Sequence, residues 1–326
     1  MNQYDVIISD GNNRLHLRDL VERLILEESL DEIAYRADIT LVIIPELSLI
    51  EGQQVSITGP QDETLLDSGV IWGIERQNSR TPRLELTVYD LSIYLKSEDE
   101  YMFPEGQTAA QRIKQYAKDW NIPLGSIPDT KIPLARTVYR SQPIYTMILN
   151  DLKETATKGG DMYRPRFTSN GLELIQIGSN STVWLFQTEQ NIEDYSEIST
   201  LDKVITQVKV LGSATDNELS PVLAILKGDT QKYGTLQKIL SDEKITTTGE
   251  AKAKGEKVLR ELQKSYSINT IDLPAIRAGD KIKLDGQELI VMSLTHNCGN
   301  PGRLSMQAAG IDYVRQEMYF DLSWGG

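Results

Sequence analysis

The sequence predicts a mostly β protein carrying an α+β insert, and three observations predict it. From Arg83 to Leu95 the chain reads RLELTVYDLSIYL, where Leu84, Leu86 and Val88 alternate with Glu85, Thr87 and Tyr89. A period of two buries one face of a strand. Farther along, Ile282-Lys-Leu284, Asp285-Gly286 and Glu288–Val291 spell a hairpin, because an Asp-Gly pair supplies the positive φ values of a tight turn. Between these two stretches, over about residues 96–190, apolar residues recur at helical spacing.

In chain order, Tyr4–Ser9 reads as a strand, Asp10-Gly11 as a turn, and Arg14–Leu17 as the return. Further strands are expected at Glu22–Leu26, Glu32–Ile44, Gln54–Thr58, Gly69–Arg76 and Arg83–Tyr89. So many short strands before residue 95 suggest a small barrel or sandwich. KSEDEYMFPEGQ, from Lys96, reads as a charged linker. Thr108-Ala-Ala-Gln111 has the form of a capping box, and Ile113, Tyr116, Ala117 and Trp120 follow at helical spacing. A second helix places Ile144, Ile148, Leu152 and Ala156 on one stripe and stops at Gly159-Gly160. Met162–Thr168 and Gly171–Ile177 should pair across a Ser-Asn-Gly turn, followed by Thr182–Gln187. The third region returns to β at Leu201–Leu211 and Val222–Leu226. Thr247 and Glu250 then open a helix expected to run to about Lys264, with a thin stripe of Val258, Leu259 and Leu262. Arg303–Ala309 reads as a closing strand.

The composition is that of a globular protein, 40% hydrophobic and 25% charged, and 326 residues suffice for two or three domains. The N-terminus lacks the basic-then-apolar layout of a signal peptide. The longest apolar run, ITLVIIPELSLI, is interrupted by Pro45 and Glu46 and is too short to span a bilayer. Folding in a cytoplasm and no membrane insertion are therefore expected. Cys298 is the sole cysteine, so no intrachain disulfide can form. Thirty-four basic and 47 acidic residues give a net charge of −13, which repels nucleic acid and anionic membranes. A solubilising surface and a duct along which DNA slides without sticking both fit that charge, and composition does not separate them.

Chemistry is conspicuous by omission. No phosphate-binding GxxxxGK[ST], no GxGxxG and no GxSxG occurs. The two histidines, His16 and His296, are far apart in sequence, which argues against histidine-rich metal sites and most Ser/His or Cys/His arrangements. His296-Asn297-Cys298 is read as a polar turn after a strand ending near Leu294, and the Glu98-Asp99-Glu100 cluster as solvated charge in the linker. Tyr89, Tyr94 and Tyr101 cluster at the end of the first region without interleaved basic residues, unlike a nucleic-acid platform. No catalytic, metal or cofactor site is expected.

The order of the pieces carries a resemblance. RLELTVYDLSIYLKS with Tyr89, Asp90 and Tyr94, a small helical region, DKVITQVKVLG, YGTLQKIL with Tyr233 and Gly234, a helix, and RAGDKIKLDGQELIVMSLTHN with Gly279 and Asp280 follow one another. The chain resembles the XkdQ/YqbQ family of tail proteins from PBSX-like phages and contractile bacteriocins. More distantly it is similar to the baseplate hubs of contractile phages and the spike-bearing hubs of type VI secretion.

The resemblance implies a structural hub that joins a six-fold tail tube to a three-fold spike. It implies a homotrimer in which each chain contributes two tube-like β-barrel domains, at about 1–95 and 191–315, with a helix inserted in the second. A small peripheral α+β domain at 96–190 and a C-terminal tail at 316–326 complete the division. Implied partners are the tail tube protein, the spike protein and other baseplate proteins, with DNA in the lumen if the particle is a phage. The implied location is a virion or bacteriocin particle assembled in the host cytoplasm. Two other classes stay open: a cell-wall-degrading enzyme of the same particle, betrayed by a positioned Glu/Asp or Cys/His pair, and a carbohydrate-binding module, betrayed by exposed coplanar aromatics.

Overall fold

A computed structural model describes residues 4–319 except 12, 45–46, 61–62, 79, 189, 214–218 and 243–244. Pro45 and Glu46, which interrupt the apolar run, and the tail beyond Tyr319 therefore lie outside the described residues.

Seven strands come first: β1 (Asp5–Asp10), β2 (Asn13–His16), β3 (Val21–Ser29), β4 (Arg36–Val42), β5 (Gln54–Thr58), β6 (Thr64–Gln77) and β7 (Arg83–Asp90). A 3-10 turn over Leu91–Lys96 leads to β8 (Glu98–Phe103), α1 (Ala109–Asp119), β9 (Thr137–Pro143), α2 (Ile144–Thr157), β10 (Tyr163–Thr168), β11 (Gly171–Gln176) and β12 (Trp184–Phe186). Then follow β13 (Asp194–Ser199), β14 (Gln207–Leu211), β15 (Val222–Lys227), the short α3 (Thr230–Tyr233), β16 (Gln237–Ser241) and α4 (Thr248–Val258). The chain ends its described course with β17 (Lys264–Ile271), β18 (Lys281–Leu284), β19 (Gln287–Asn297), β20 (Arg303–Ala309), α5 (Ile311–Val314) and a π-helical turn over Arg315–Tyr319.

The protein is mostly β, built on one large sheet in the order β13-β17-β20-β19-β3-β4-β7-β6-β5-β1-β2, with β18 and β12 branching from β19. The join is β3 against β19, antiparallel, with Leu294 opposite Glu28 and His296 opposite Leu26. Strands from the first and third regions therefore share one sheet. No pairing among the described residues closes either half into a barrel.

Contacts divide the chain into two compact units. The larger comprises Met1–Ser196 and Tyr266–Tyr319, and the described part of the smaller is Glu197–Ser265. The larger unit holds separate apolar cores. One gathers Val6, Leu24, Ile39, Ile57 and Leu86, another Ile113, Tyr116, Ile148, Leu152 and Leu174, a third Ile268, Ile282, Val291 and Leu304. The alternation of Leu84, Leu86 and Val88 and the helical stripe Ile144, Ile148, Leu152, Ala156 are all buried.

Several local expectations need correction. The supposed linker is the strand β8, hydrogen-bonded to β9. Its charges mask a period of two, in which Asp99, Tyr101 and Phe103 turn inward while Glu98, Glu100 and Met102 face out. Only the second half of Leu201–Leu211 is strand; Ile205 instead bridges to Arg260. The strand expected from Glu32 starts at Arg36. The helix after Thr247 has its capping box but ends at Val258, because Leu259 leaves helical geometry and the chain turns extended toward β17. The first turn shifts by one residue. Asp10 still pairs with Asn13, and Gly11, at φ 59°, begins the loop.

Candidate functional site

Two of the three motif segments converge on one buried charge cluster in the larger unit. At its centre Glu28, on β3, accepts from Arg277 Nε at 2.8 Å, Arg277 Nη2 at 2.9 Å and the Ala278 backbone N–H at 2.9 Å. Arg164 Nη1, from β10, stands 3.2 Å away and also donates to the Ala278 carbonyl at 3.0 Å, as does Arg166. Burial by itself raises the Glu28 carboxyl, but Arg277, Arg164 and Arg166 outweigh it and hold the group well below the ordinary carboxylate range. Burial and the repulsion of Arg277 push Arg166 down to about 10. The Arg277 guanidinium lies 4.2 Å from the Tyr35 ring. Asp90 and Asp280 complete the cluster. Burial raises Asp90 to about 6 and also raises Asp280, which accepts from the Arg277 N–H at 3.0 Å.

This junction fixes the motif residues locally. Asp90 caps the 3-10 turn by accepting from the Ser92 N–H at 3.2 Å, and its own N–H donates to the Tyr35 carbonyl at 2.9 Å. That turn throws Tyr94 outward, where Trp72 meets it edge-on at 5.8 Å and meets Tyr89 at 6.2 Å. Trp72 and Tyr94 are half exposed. Gly279, at φ 92°, lets its N–H donate to Val291 and its carbonyl accept from Gly178, both at 2.8 Å. Tyr233-Gly234 belongs to the smaller unit, where Gly234 closes α3 and its carbonyl accepts from Thr206 Oγ1 at 2.7 Å. Asp285 and Gly286, at φ 46° and 88°, are the two-residue loop between Leu284 and Gln287. Asp285 also accepts from the Thr188 N–H at 3.1 Å.

His296-Asn297-Cys298 differs from the expected turn. β19 continues to Asn297, and His296 is 0% exposed with Nδ1 2.6 Å from Asp272 Oδ1. Tyr4 donates to the other Asp272 oxygen at 2.5 Å. The Cys298 thiol is pushed well above its ordinary range by burial and by Asp272, which is opposite to what a thiolate nucleophile needs. A second buried network joins Asp151 to Arg112 at 2.7 Å and to Tyr139 at 2.8 Å. No local pattern marks either network, since Arg112, Asp151 and His296 stand among other polar residues, and Arg112 meets Asp151 across 39 positions and His296 meets Asp272 across 24. Among the described residues no group of three or more His, Cys, Asp or Glu is placed to hold a metal, and no helix is long and apolar enough to cross a membrane.

The YqbQ-like family profile matches residues 26–306. The chain belongs to the YqbQ-like family. It is 31% identical over 215 residues to YqbQ of Bacillus subtilis strain 168, covering 62% of this chain and 64% of that one. It is 32% identical over 164 residues to the phage-like element PBSX protein XkdQ of the same strain, covering 49% and 50%. The alignments thus span under two thirds of each curated relative. Among solved structures, a tail protein of Neisseria meningitidis MC58 superposes with a TM-score of 0.69 over 97% of this chain and 99% of that one, at 15% identity. The 43 kDa tail protein of prophage MuSo2 from Shewanella oneidensis gives 0.68 over 94% and 98%, at 12% identity. An E. coli type VI secretion component, itself similar to bacteriophage T4 tail proteins gp27 and gp5, gives 0.54 over 93% and 76%, at 12% identity. The fold of this YqbQ-like chain is the one seen in those tail and secretion proteins.

Proposed function

We propose that this YqbQ-like protein is a structural baseplate hub, a homotrimer that joins a six-fold tail tube to a three-fold spike in a contractile phage tail or an R-type bacteriocin. The observation that carries the reading is the likeness to tail proteins along 94–97% of the chain, with β3 and β19 building the first and third regions into one sheet. On this reading 1–95 and 191–315 supply two tube-like barrels, 96–190 the peripheral domain, and the tube, spike and remaining baseplate proteins are the partners. The particle is the protein's location, after assembly in the host cytoplasm.

The candidate lumen face is the outer side of β4, β6 and β7. There Asp38, Glu75 and Glu85 outnumber Arg36 and Arg83, an excess that discourages DNA from sticking. A non-enzymatic role is supported by the burial of His296 and by the raised Cys298 thiol, which leave that pair without access or a ready nucleophile. A carbohydrate platform is disfavoured because Trp72 meets Tyr94 at 68° and Tyr89 at 81°, not in one plane.

The test is deletion of the gene with electron microscopy of the particles. Tubes lacking spikes are expected. Normal particles without the chain, or cell-wall hydrolysis by the pure protein that one substitution abolishes, would overturn the reading. Charge reversal at Asp38, Glu75 and Glu85 is expected to slow DNA ejection from a phage and to have no such effect in a DNA-free bacteriocin.

A further inference from the structure

The smaller unit is a three-stranded sheet covered on one side only. In the order β15-β14-β16, Val208, Val210 and Ala224 face α4, where Gly255 gives the close approach. The register puts Lys209 between Ile225 and Ile239, and Gln207 between Lys227 and Gln237, on the opposite side. Ile225 and Ile239 are 53% and 50% exposed there, and past a bulge Leu211 pairs with Val222, 49% exposed. Among the described strand residues of this open face there are two lysines and no carboxylate. An apolar face left bare on so small a unit marks an interaction site.

The sequence holds a segment of matching character. Beyond Tyr319 it reads Phe320-Asp-Leu322-Ser-Trp324-Gly-Gly. Phe320, Leu322 and Trp324 alternate with Asp321 and Ser323, so an extended chain here carries three large apolar side chains on one side. Five such residues span about 17 Å, the length of the five-residue strands β14 and β16. The segment has one acid and no base, opposite in sign to a face with two lysines.

Its point of departure also suits that face. Tyr319 is anchored by its hydroxyl, which donates to the Tyr163 carbonyl at 2.7 Å. β17 lies beside β20, where the Asp272 N–H donates to the Gly302 carbonyl at 3.0 Å and Ser305 Oγ to Asn269 Oδ1 at 2.7 Å. The two strands are therefore antiparallel. The end of β20 at Ala309 stands by the start of β17, where the chain returns from the smaller unit at Tyr266. From Gly310 to Tyr319 the chain is mostly helical, and nine residues of helical rise carry it about 14 Å at most. The seven residues that follow reach about 23 Å when extended.

We propose that Phe320–Trp324 lies extended on the open sheet face of the smaller unit of its own chain, with Phe320, Leu322 and Trp324 against Ile225 and Ile239. Lys209 and Lys227 are long enough to pass the segment and meet the Asp321 carboxylate. Tethering favours the contact, since the segment is held at high effective concentration near its site.

The test follows Trp324 in the full chain carrying Trp72→Phe, Trp120→Phe and Trp184→Phe, with folding checked by circular dichroism. Blue-shifted emission is expected, with acrylamide quenching slower than in a free peptide of residues 320–326 and unchanged on dilution. Ile225→Ser with Ile239→Ser, and separately Asp321→Lys, are expected to move both readings toward the peptide values. Hydrogen exchange requires none of the tryptophan changes and decides alone if that chain does not fold. The amides of β15 and β16 are expected to exchange faster in Leu322→Ser with Trp324→Ser than in the wild type, while those of β3 and β4 keep their rates. Emission and quenching equal to the free peptide, substitutions without effect, or equal exchange overturns the proposal. Protection that disappears on dilution assigns the segment to another copy and overturns it as well.

Discussion

Glu28→Gln perturbs the point where three stretches of the chain meet, since Glu28, Arg164 and Arg277 come from β3, β10 and the β17–β18 connection. The wild-type carboxylate faces four donors: two from Arg277, the Ala278 N–H and Arg164. Gln keeps the shape but turns one acceptor into an NH₂ group aimed at donors, and it leaves two guanidinium groups without their counter-charge. Removing one partner of a buried ion pair costs about 3–5 kcal/mol. For a unit of this size that lowers the melting temperature by roughly 6–20 °C, at about 2–4 °C per kcal/mol. Three of the four tryptophans, Trp72, Trp120 and Trp184, lie in the larger unit, so in a Trp324→Phe background tryptophan fluorescence in urea follows it. The pH dependence gives a second readout. A carboxyl held below its unfolded value contributes fully above that value, 4.5, and loses its contribution as the pH falls through and below it. The gap between wild type and variant is therefore expected to be widest near neutrality and to shrink in acid below pH 4.5. A loss under about 1 kcal/mol at neutral pH, or a gap that does not shrink in acid, would refute the reasoning that this cluster is an electrostatic lock.

Three further outcomes are expected. Gly286→Val is expected to cost the larger unit about 1–2 kcal/mol in urea unfolding, because φ 88° strains any L side chain, while the open space around Gly286 adds no clash. Gly255→Ala in α4 gains about 1 kcal/mol of helix propensity. Its new Cβ would sit 2.4 Å from Leu226 Cδ1 and 3.1 Å from Val210 Cγ2, so net loss of thermal stability in the smaller unit is expected, and a net gain would show that α4 packs loosely. Cys298 is expected to resist a thiol reagent in the folded protein and to react fully in denaturant; rapid native-state labelling would contradict its burial and raised pKa.

What could be read from the chain alone was local. The alternation through Leu84, Leu86 and Val88, the stripe from Ile144 to Ala156, the capping boxes at Thr108 and Thr247 and the Asp285-Gly286 loop all follow from backbone geometry a few residues long. Charge misled where it overlaid that geometry, as in β8, whose acidic outward positions hid an inward row of Asp99, Tyr101 and Phe103. The tertiary structure alone decided what depends on residues distant in sequence. It set β3 beside β19, brought Glu28 to Arg277, and buried His296 against Asp272. It also decided which sheet face stays open, since Ile225 and Val210 sit in similar apolar runs and only the position of α4 distinguishes them. Pairing across more than two hundred residues leaves no periodic trace, because each partner taken singly is an ordinary polar or apolar residue until the fold supplies its neighbour.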